Sequence, residues 1–137
     1  MNVVVDAGVL LAAADGDDTD HLACAQVLRE HRGQLWIPAP VVPECAWQIE
    51  RNFGPAAEGA FVRRIASGPF KVVDLSAADY QRCAELIETY ADLGLGLVDA
   101  SVVTVAENTG SRVLATLNRR DFMVVRPRHI GGFELIP

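Results

Sequence analysis

The chain has 137 residues, the size of one ordinary domain, and 50% of them are hydrophobic. Charged residues make up 22%, and 12 basic against 18 acidic side chains give a formal net charge of −6. This composition excludes a disordered or fibrous chain, and the charge argues against a protein that holds nucleic acid by bulk electrostatic attraction. We expect a single domain over residues 1–137.

We expect neither a membrane span nor a signal peptide in the first residues of the sequence. The longest early stretch without a polar side chain runs from Ala7 to Ala14, well short of the roughly 20 residues that a bilayer span needs. No positive residue precedes this stretch, as it would in a signal peptide. We therefore expect a cytoplasmic protein with no membrane partner.

Short apolar or β-branched runs alternate with helical patterns along the chain. The predicted elements are, in order, strand Val3–Val5, a helix over about Val9–Ala14, a helix over about His21–Arg32, strand Leu35–Ile37, a helix from near Pro43, a helix from Pro55 to about Ser67, strand Lys71–Val73, a helix from Ser76 to about Ala91, a helix over Val98–Asn108, strand Arg112–Ala115 and a fifth strand within Phe133–Ile136. This alternation predicts an α/β fold, a three-layer sandwich around a mainly parallel central sheet.

Three acidic residues stand among apolar neighbours at the ends of these elements. Asp6 follows the first strand, while Glu44 and Asp99 lie in the first turns of two helices. A carboxylate in such a pattern is costly to bury unless it is paired or binds a cation, and no Lys or Arg is adjacent to any of the three. One such acid could simply cap a helix. Three of them predict a shared site, because ligands collect beyond the carboxyl ends of parallel strands.

A cluster of carboxylates favours one kind of chemistry. Neighbouring carboxylates raise one another's pKa, and a bound cation relieves their repulsion. Oxygen ligands select Mg²⁺ or Mn²⁺, and substrate phosphates complete the coordination of Mg²⁺. We therefore expect a Mg²⁺ or Mn²⁺ site that hydrolyses phosphodiesters with a water of lowered pKa. The sequence leaves open whether one ion or two bind.

The cysteine and tryptophan residues point to no further chemistry. Cys24, Cys45 and Cys83 are odd in number and have no CxxC spacing, which predicts reduced thiols packed in helices. Trp36 and Trp47 are predicted to pack in the core or in an interface.

Five short motifs follow one another along the chain. They are Val3–Ala12 (VVVDAGVLLA), Asp20-His21, Pro43-Glu44, Leu95–Ala100 (LGLVDA) and Thr116–Phe122 (TLNRRDF). In this order they resemble the motifs of PIN-domain ribonucleases, and most closely those of the VapC-type toxins of bacterial toxin–antitoxin pairs. The resemblance extends over essentially the whole chain.

The resemblance implies a PIN-like fold and a Mg²⁺- or Mn²⁺-dependent endoribonuclease that acts as the toxin of a type II toxin–antitoxin pair. It also implies a homodimer, an RNA substrate and a cognate antitoxin that blocks the activity. Mapped onto this sequence, the catalytic and metal-binding residues are Asp6, Glu44 and Asp99. Neither the RNA target nor the antitoxin follows from the sequence.

The fourth acidic position of the family is where this chain departs from the pattern. The nearest match is Asn118, so either three acids suffice or Asp121 reaches in from the following turn. This departure leaves a catalytically inactive PIN-like binding module as the alternative function. Arg119 and Arg120 belong to an arginine-rich C-terminal segment and are candidate RNA contacts.

Overall fold

The structure, a computed structural model, describes all residues from Met1 to Pro137. Its centre is one five-stranded sheet with the strand order β3-β2-β1-β4-β5, in which every neighbouring pair is parallel. The strands are β1 (Val3–Val5), β2 (Leu35–Pro38), β3 (Phe70–Val73), β4 (Val113–Ala115) and β5 (Glu134–Ile136). The predicted α/β sandwich is confirmed, and its sheet is parallel throughout.

Seven helices connect and cover the strands. They are α1 (Ala7–Ala14), α2 (His21–Glu30), α3 (Val41–Phe53), α4 (Pro55–Ser67), α5 (Ala77–Thr89), α6 (Leu97–Thr109) and α7 (Arg119–Val124). Because crossovers between parallel strands are right-handed, the strand order places α1 to α4 on one face and α5 to α7 on the other. No helix is both long enough and apolar enough to cross a bilayer.

The core is built around β1 and α6. The strand Val3–Val5 is fully buried between β2 and β4, as expected for a parallel sheet that is covered on both faces. Helix α6 is buried without interruption over residues 100–106, because it packs against both the sheet and α5. The three cysteine thiols are free and buried, as predicted.

The sheet order creates a crevice at one end of β1. The chain leaves β1 toward β2 on one side and returns on the other side as β4, so the strand order reverses between β1 and β4. Open parallel sheets bind ligands beyond the carboxyl ends of the strands at such a point. Asp6 follows β1 directly, and Thr116 follows β4.

Several element boundaries differ from the predictions for local reasons. Helix α1 begins at Ala7 because the Asp6 carboxylate accepts a hydrogen bond from the Ala7 N–H, which caps the helix two residues earlier than expected. Helix α3 begins at Val41, so Pro43 lies inside the first turn, where its missing N–H costs nothing. Helix α7 was not predicted at all, because its six residues are too few to show a periodic apolar pattern.

Trp47, which was predicted to pack in the core or in an interface, does not lie in the core. Its side chain stands on α3 and is 56% exposed, whereas Trp36 in β2 is partly buried beneath the ammonium of Lys71. The face of α3 that packs inward is formed instead by Val41, Cys45 and Ile49.

A reciprocal cap fixes the start of α5. The Ser76 hydroxyl accepts a hydrogen bond from the Asp79 N–H, and the Asp79 carboxylate accepts one from the Ser76 N–H at 2.9 Å. The same carboxylate accepts a hydrogen bond of 2.7 Å from the Asn108 amide on α6. These hydrogen bonds hold the pKa of Asp79 below its ordinary value of 3.8, and the bond from the Ser76 N–H has the largest effect.

We predict that Asp79→Asn lowers the free energy of unfolding by about 1 kcal/mol at pH 6, the usual cost of losing a helix cap. The stabilisation from the ionised carboxylate exists above the unfolded-state pKa of 3.8 and is lost as the pH falls through the lowered folded-state pKa. The difference between wild type and variant should therefore shrink between pH 6 and pH 3 in urea denaturation. Asp74→Asn, which removes an exposed carboxylate without a hydrogen bond, should show no such change.

Candidate active site

A cavity of about 730 Å³ opens at the carboxyl ends of β1 and β4. Its wall contains the three carboxylates that the sequence predicted to meet, those of Asp6, Glu44 and Asp99. The other lining residues are small, apolar or neutral, namely Ala7, Gly8, Gly94, Gly96, Leu97, Val98, Leu117 and Asn118. No basic side chain lines this acidic cavity.

Asp6 is the most rigidly held of the three acids. Its Oδ1 accepts a hydrogen bond of 2.8 Å from the Ala7 N–H, and its Oδ2 accepts one of 2.9 Å from the Thr116 hydroxyl. The Thr116 hydroxyl oxygen in turn accepts the Asn118 N–H at 3.0 Å, which links the ends of β1 and β4. Burial raises the pKa of Asp6, while the hydrogen bonds from Thr116 and Ala7 act in the opposite direction.

Glu44 reaches the cavity from the first turn of α3. One turn further along the helix, the Gln48 amide donates a hydrogen bond of 2.9 Å to Glu44 Oε1. This i, i+4 contact holds the carboxylate against the helix without neutralising it.

Asp99 enters from the first turn of α6, after a tight turn in which Gly94 adopts a left-handed conformation with φ +68°. Burial and the charges of the neighbouring acids raise the pKa of Asp99 to about 6. Among those charges that of Asp6 has the largest effect, followed by those of Asp121 and Glu44. Burial of the Asp99 carboxylate is the larger cause of this shift, and repulsion by the neighbouring carboxylates adds to it.

Asn118 and Asp121 occupy different places at the fourth position. Asn118 lines the cavity, and its amide Nδ2 donates a hydrogen bond of 3.0 Å to Asp121 Oδ2. Asp121 lies behind it and does not line the cavity, and Arg120 Nε donates to its other oxygen at 3.0 Å. The bonds from Asn118 and Arg120 lower the pKa of Asp121. With Nδ2 engaged, the Asn118 amide oxygen remains available as an acceptor.

The donor set of the cavity suits a hard cation. Carboxylate and amide oxygens are the ligands that Mg²⁺ and Mn²⁺ prefer, and a cation would offset both the burial and the mutual repulsion that raise the pKa of Asp99. The side chains are not preassembled as a closed cluster, because no three His, Cys, Asp or Glu residues stand in a metal-binding arrangement.

Sequence reasoning missed the neutral residues that hold the acids in place. Thr116 could have been noticed because it is the first polar residue after β4, the same signal that identified Asp6 after β1. Gln48 gave no such signal.

The two predicted RNA contacts are already engaged within the protein. The guanidinium of Arg119 donates to the backbone oxygens of Leu135 and Pro137, and that of Arg120 pairs with Asp121.

A buried thiol lies directly behind the acidic cavity. The Cys45 Sγ contacts the Ala7 carbonyl oxygen at 3.6 Å. Burial, together with the charges of Asp6 and Glu44, raises the pKa of Cys45 to about 12. The thiol therefore stays neutral, and Cys45 is not a nucleophile of this site.

A mainly apolar groove of about 670 Å³ runs between α1, α3 and α4 and adjoins the acidic cavity. Gly8 and Leu117 line both, so the groove opens beside the carboxylates. Its apolar wall includes Leu11, Ile49, Phe53, Ala57 and Phe61.

Comparison with known proteins places this site in a family. The family model described as the PIN domain matches residues 3–126, which include all three acids of the cavity. The chain belongs to the PIN-domain family. It is 30% identical over 135 residues to Ribonuclease VapC26 of Mycobacterium tuberculosis, an alignment that covers 98% of this chain and 100% of the relative.

Solved structures share the fold of this PIN domain. The Sarcin-Ricin loop cleaving toxin VapC20 of Mycobacterium tuberculosis superposes with a TM-score of 0.77 at 18% identity, covering 82% of this chain and 87% of that one. VapBC2 from Rickettsia felis, solved bound to a DNA fragment from its promoter, gives a TM-score of 0.73 at 16% identity, with both chains covered over 100%. These likenesses establish the fold.

We predict that Asp99→Asn raises the melting temperature of the metal-free protein by about 2–5 °C, because it removes a charge that is both buried and repelled by neighbouring carboxylates. Since the pKa of Asp99 is raised to about 6, protonation relieves the same repulsion in the wild type as the pH falls from above 6 toward the unfolded-state value of 3.8. The difference in melting temperature between Asp99→Asn and the wild type should therefore become smaller as the pH falls from 7.5 to 4.5, measured in thermal scans with a chelator present.

The matched control is Asp92→Asn, which removes an exposed acid from a short 3₁₀ helix (Ala91–Leu93) outside the cavity lining. This variant should leave the melting temperature unchanged. If Asp99→Asn melted at a lower temperature than the wild type at pH 7.5, the burial and repulsion of the Asp99 charge would not be the dominant effect.

Proposed function

We propose that this PIN domain is a metal-dependent endoribonuclease that hydrolyses RNA phosphodiesters and acts as the toxin of a type II toxin–antitoxin pair. The observation that carries the proposal is that Asp6, Glu44 and Asp99 all line one cavity whose wall contains no basic side chain. The relative named Ribonuclease VapC26 supports the same activity, since it aligns with 98% of this chain.

The carboxylates of Asp6, Glu44 and Asp99 would hold Mg²⁺ or Mn²⁺, and the Asn118 amide oxygen could orient a water beside them. Such an ion supplies a water of lowered pKa and stabilises negative charge that develops on phosphate oxygens. The neutral groups around the cavity hold these carboxylates in position. Thr116 and the Ala7 N–H fix the Asp6 carboxylate, and Gln48 steadies that of Glu44.

We predict that Asp6→Ala and Asp99→Ala each reduce cleavage of RNA by at least about 10³-fold, because each removes a charged ligand that no other side chain can replace. The measurement is the rate of product formation from total RNA in Mg²⁺ or Mn²⁺, with cleavage ends mapped by sequencing. A chelator should abolish the wild-type activity, and excess Mn²⁺ should restore it.

The control variant is Asp17→Ala, which removes an exposed acid in the turn between α1 and α2 and should leave the rate unchanged. Mn²⁺ should also raise the melting temperature of the wild type more than that of Asp99→Ala, a readout that needs no activity. Retained cleavage in both cavity variants would refute the proposal. No cleavage of any RNA pool by the wild type in Mn²⁺, together with tight binding of an antitoxin, would favour the inactive binding module.

We propose that an antitoxin covers the groove beside the cavity. Solved structures of similar fold include a toxin–antitoxin complex from Klebsiella pneumoniae, with a TM-score of 0.69 and 21% identity over 90% of this chain. In this chain the wall of the groove is mainly apolar. The groove opens into the acidic cavity at Gly8 and Leu117, which line both. It suits an apolar segment followed by a basic side chain. The homodimer implied by the resemblance remains a prediction.

We predict that Phe53→Asp keeps RNA cleavage but escapes the antitoxin, since Phe53 is 56% exposed in the groove and outside the cavity lining. In a bacterial host whose growth the wild-type chain arrests, a genomic library from the organism that encodes this chain should yield clones that restore growth. The same clones should fail to rescue cells that express Phe53→Asp. Equal rescue of both chains would place the antitoxin elsewhere.

A further inference from the structure

Trp47 is a large exposed aromatic side chain on α3, the helix that carries Glu44 into the acidic cavity. It lies three residues after Glu44 on α3, a rise of about 4.5 Å along the helix axis. Helical side chains lean toward the N-terminus, which directs the indole toward the turn that carries Glu44. The ring is 56% exposed and does not line the apolar groove. Neither core packing nor the groove therefore accounts for an indole at this position.

Arg51 completes this surface. It lies one turn beyond Trp47, and its guanidinium carbon stands 5.3 Å from the centre of the indole ring. Arg51 is exposed and forms no salt bridge, so no acidic side chain of the protein neutralises its charge. The guanidinium holds the indole in place by a cation–π contact. Trp47 and Arg51 together form what we call the α3 platform.

The charge around the cavity explains what such a platform could contribute. An RNA phosphate must approach three carboxylates on a protein of net charge −6, so general electrostatic attraction adds little. Near the fourth position, Arg119 donates to the backbone oxygens of Leu135 and Pro137, and Arg120 pairs with Asp121 although its side chain is 82% exposed. Base stacking on an aromatic ring is insensitive to net charge and can supply the missing affinity.

We propose that Trp47 stacks against an unpaired base of the RNA strand whose phosphate enters the acidic cavity, and that Arg51 contacts the backbone of the same strand. This inference rests on the proposed ribonuclease function and names the substrate form that the site takes. Bases in a duplex are stacked on one another, whereas those in loops and single strands are free to stack on a protein side chain. The substrate is therefore single-stranded or looped RNA.

The experiment uses Trp47 as its own reporter. In a Trp36→Phe background the only indole is Trp47, and its fluorescence is titrated with an unstructured RNA of about 12 nucleotides in a chelator, so that binding is measured without metal-dependent cleavage. Quenching should saturate with the single strand and be absent with the same sequence as a duplex. Fluorescence anisotropy of labelled RNA should show Kd weakened about 5- to 150-fold by Trp47→Ala and nearly unchanged by Trp47→Phe.

Tyr80→Ala is the matched control, since it removes a 50% exposed aromatic ring from α5, outside the cavity lining, and should leave Kd unchanged. With Mg²⁺ present, Trp47→Ala should raise KM for RNA and change kcat little, because the ring binds the strand and does not touch the reacting atoms. Arg51→Gln should reduce the slope of log Kd against log salt concentration by about 0.7, the value for one phosphate contact on a single strand.

The outcomes separate this inference from the proposed function. If the wild type cleaves RNA while Trp47→Ala keeps its Kd and KM, the platform is refuted and the ribonuclease stands. If the wild type cleaves no RNA, the proposed function fails, whatever the fluorescence shows. If Trp47→Ala dissociates an oligomer in size-exclusion chromatography with Kd per site unchanged, the ring is a contact between copies of the chain and the inference is overturned.

Discussion

Repulsion between carboxylates at one end of the sheet is the constraint that the rest of the molecule must accommodate. The side chains of Asp6, Glu44 and Asp99 share a cavity, and the charge of Asp121 adds to the field from behind. Sites of this kind lower stability for the sake of function, so the surrounding structure has to hold them. The buried strand β1 and the buried helix α6 provide that support, since each ends or begins at one of the acids.

Helix α3 shows how one element can serve three surfaces. Its inward face, formed by Val41, Cys45 and Ile49, packs into the core and fixes the position of the helix. One flank carries Glu44 into the acidic cavity, and the C-terminal end carries Phe53 into the apolar groove. Trp47 remains on the outside. Because the helix is rigid, the spacing between these surfaces is set by its geometry and not by flexible loops.

The parallel sheet and the three acids of the cavity could be predicted from the sequence, but the residues that surround and hold those acids could not. Asp6, Glu44 and Asp99 were predictable because each interrupts an apolar pattern at the end of an element, where parallel topology brings residues together. The hydrogen bond from Thr116 to Asp6 spans 110 positions of sequence and depends on the pairing of β1 with β4, which no local pattern encodes. A position in the core or in an interface was predicted for Trp47 because tryptophans are usually well buried, and only the orientation of α3 exposes its side chain.

The neutral thiol of Cys45 has a consequence for how the protein responds to its surroundings. Oxidants and alkylating reagents attack the thiolate, and a buried thiol with a pKa of about 12 forms almost none of it near neutral pH. The side chain that lies against the back of the carboxylates is therefore chemically inert, although it is a cysteine. Peroxide or a change in cellular redox poise should leave this part of the molecule untouched.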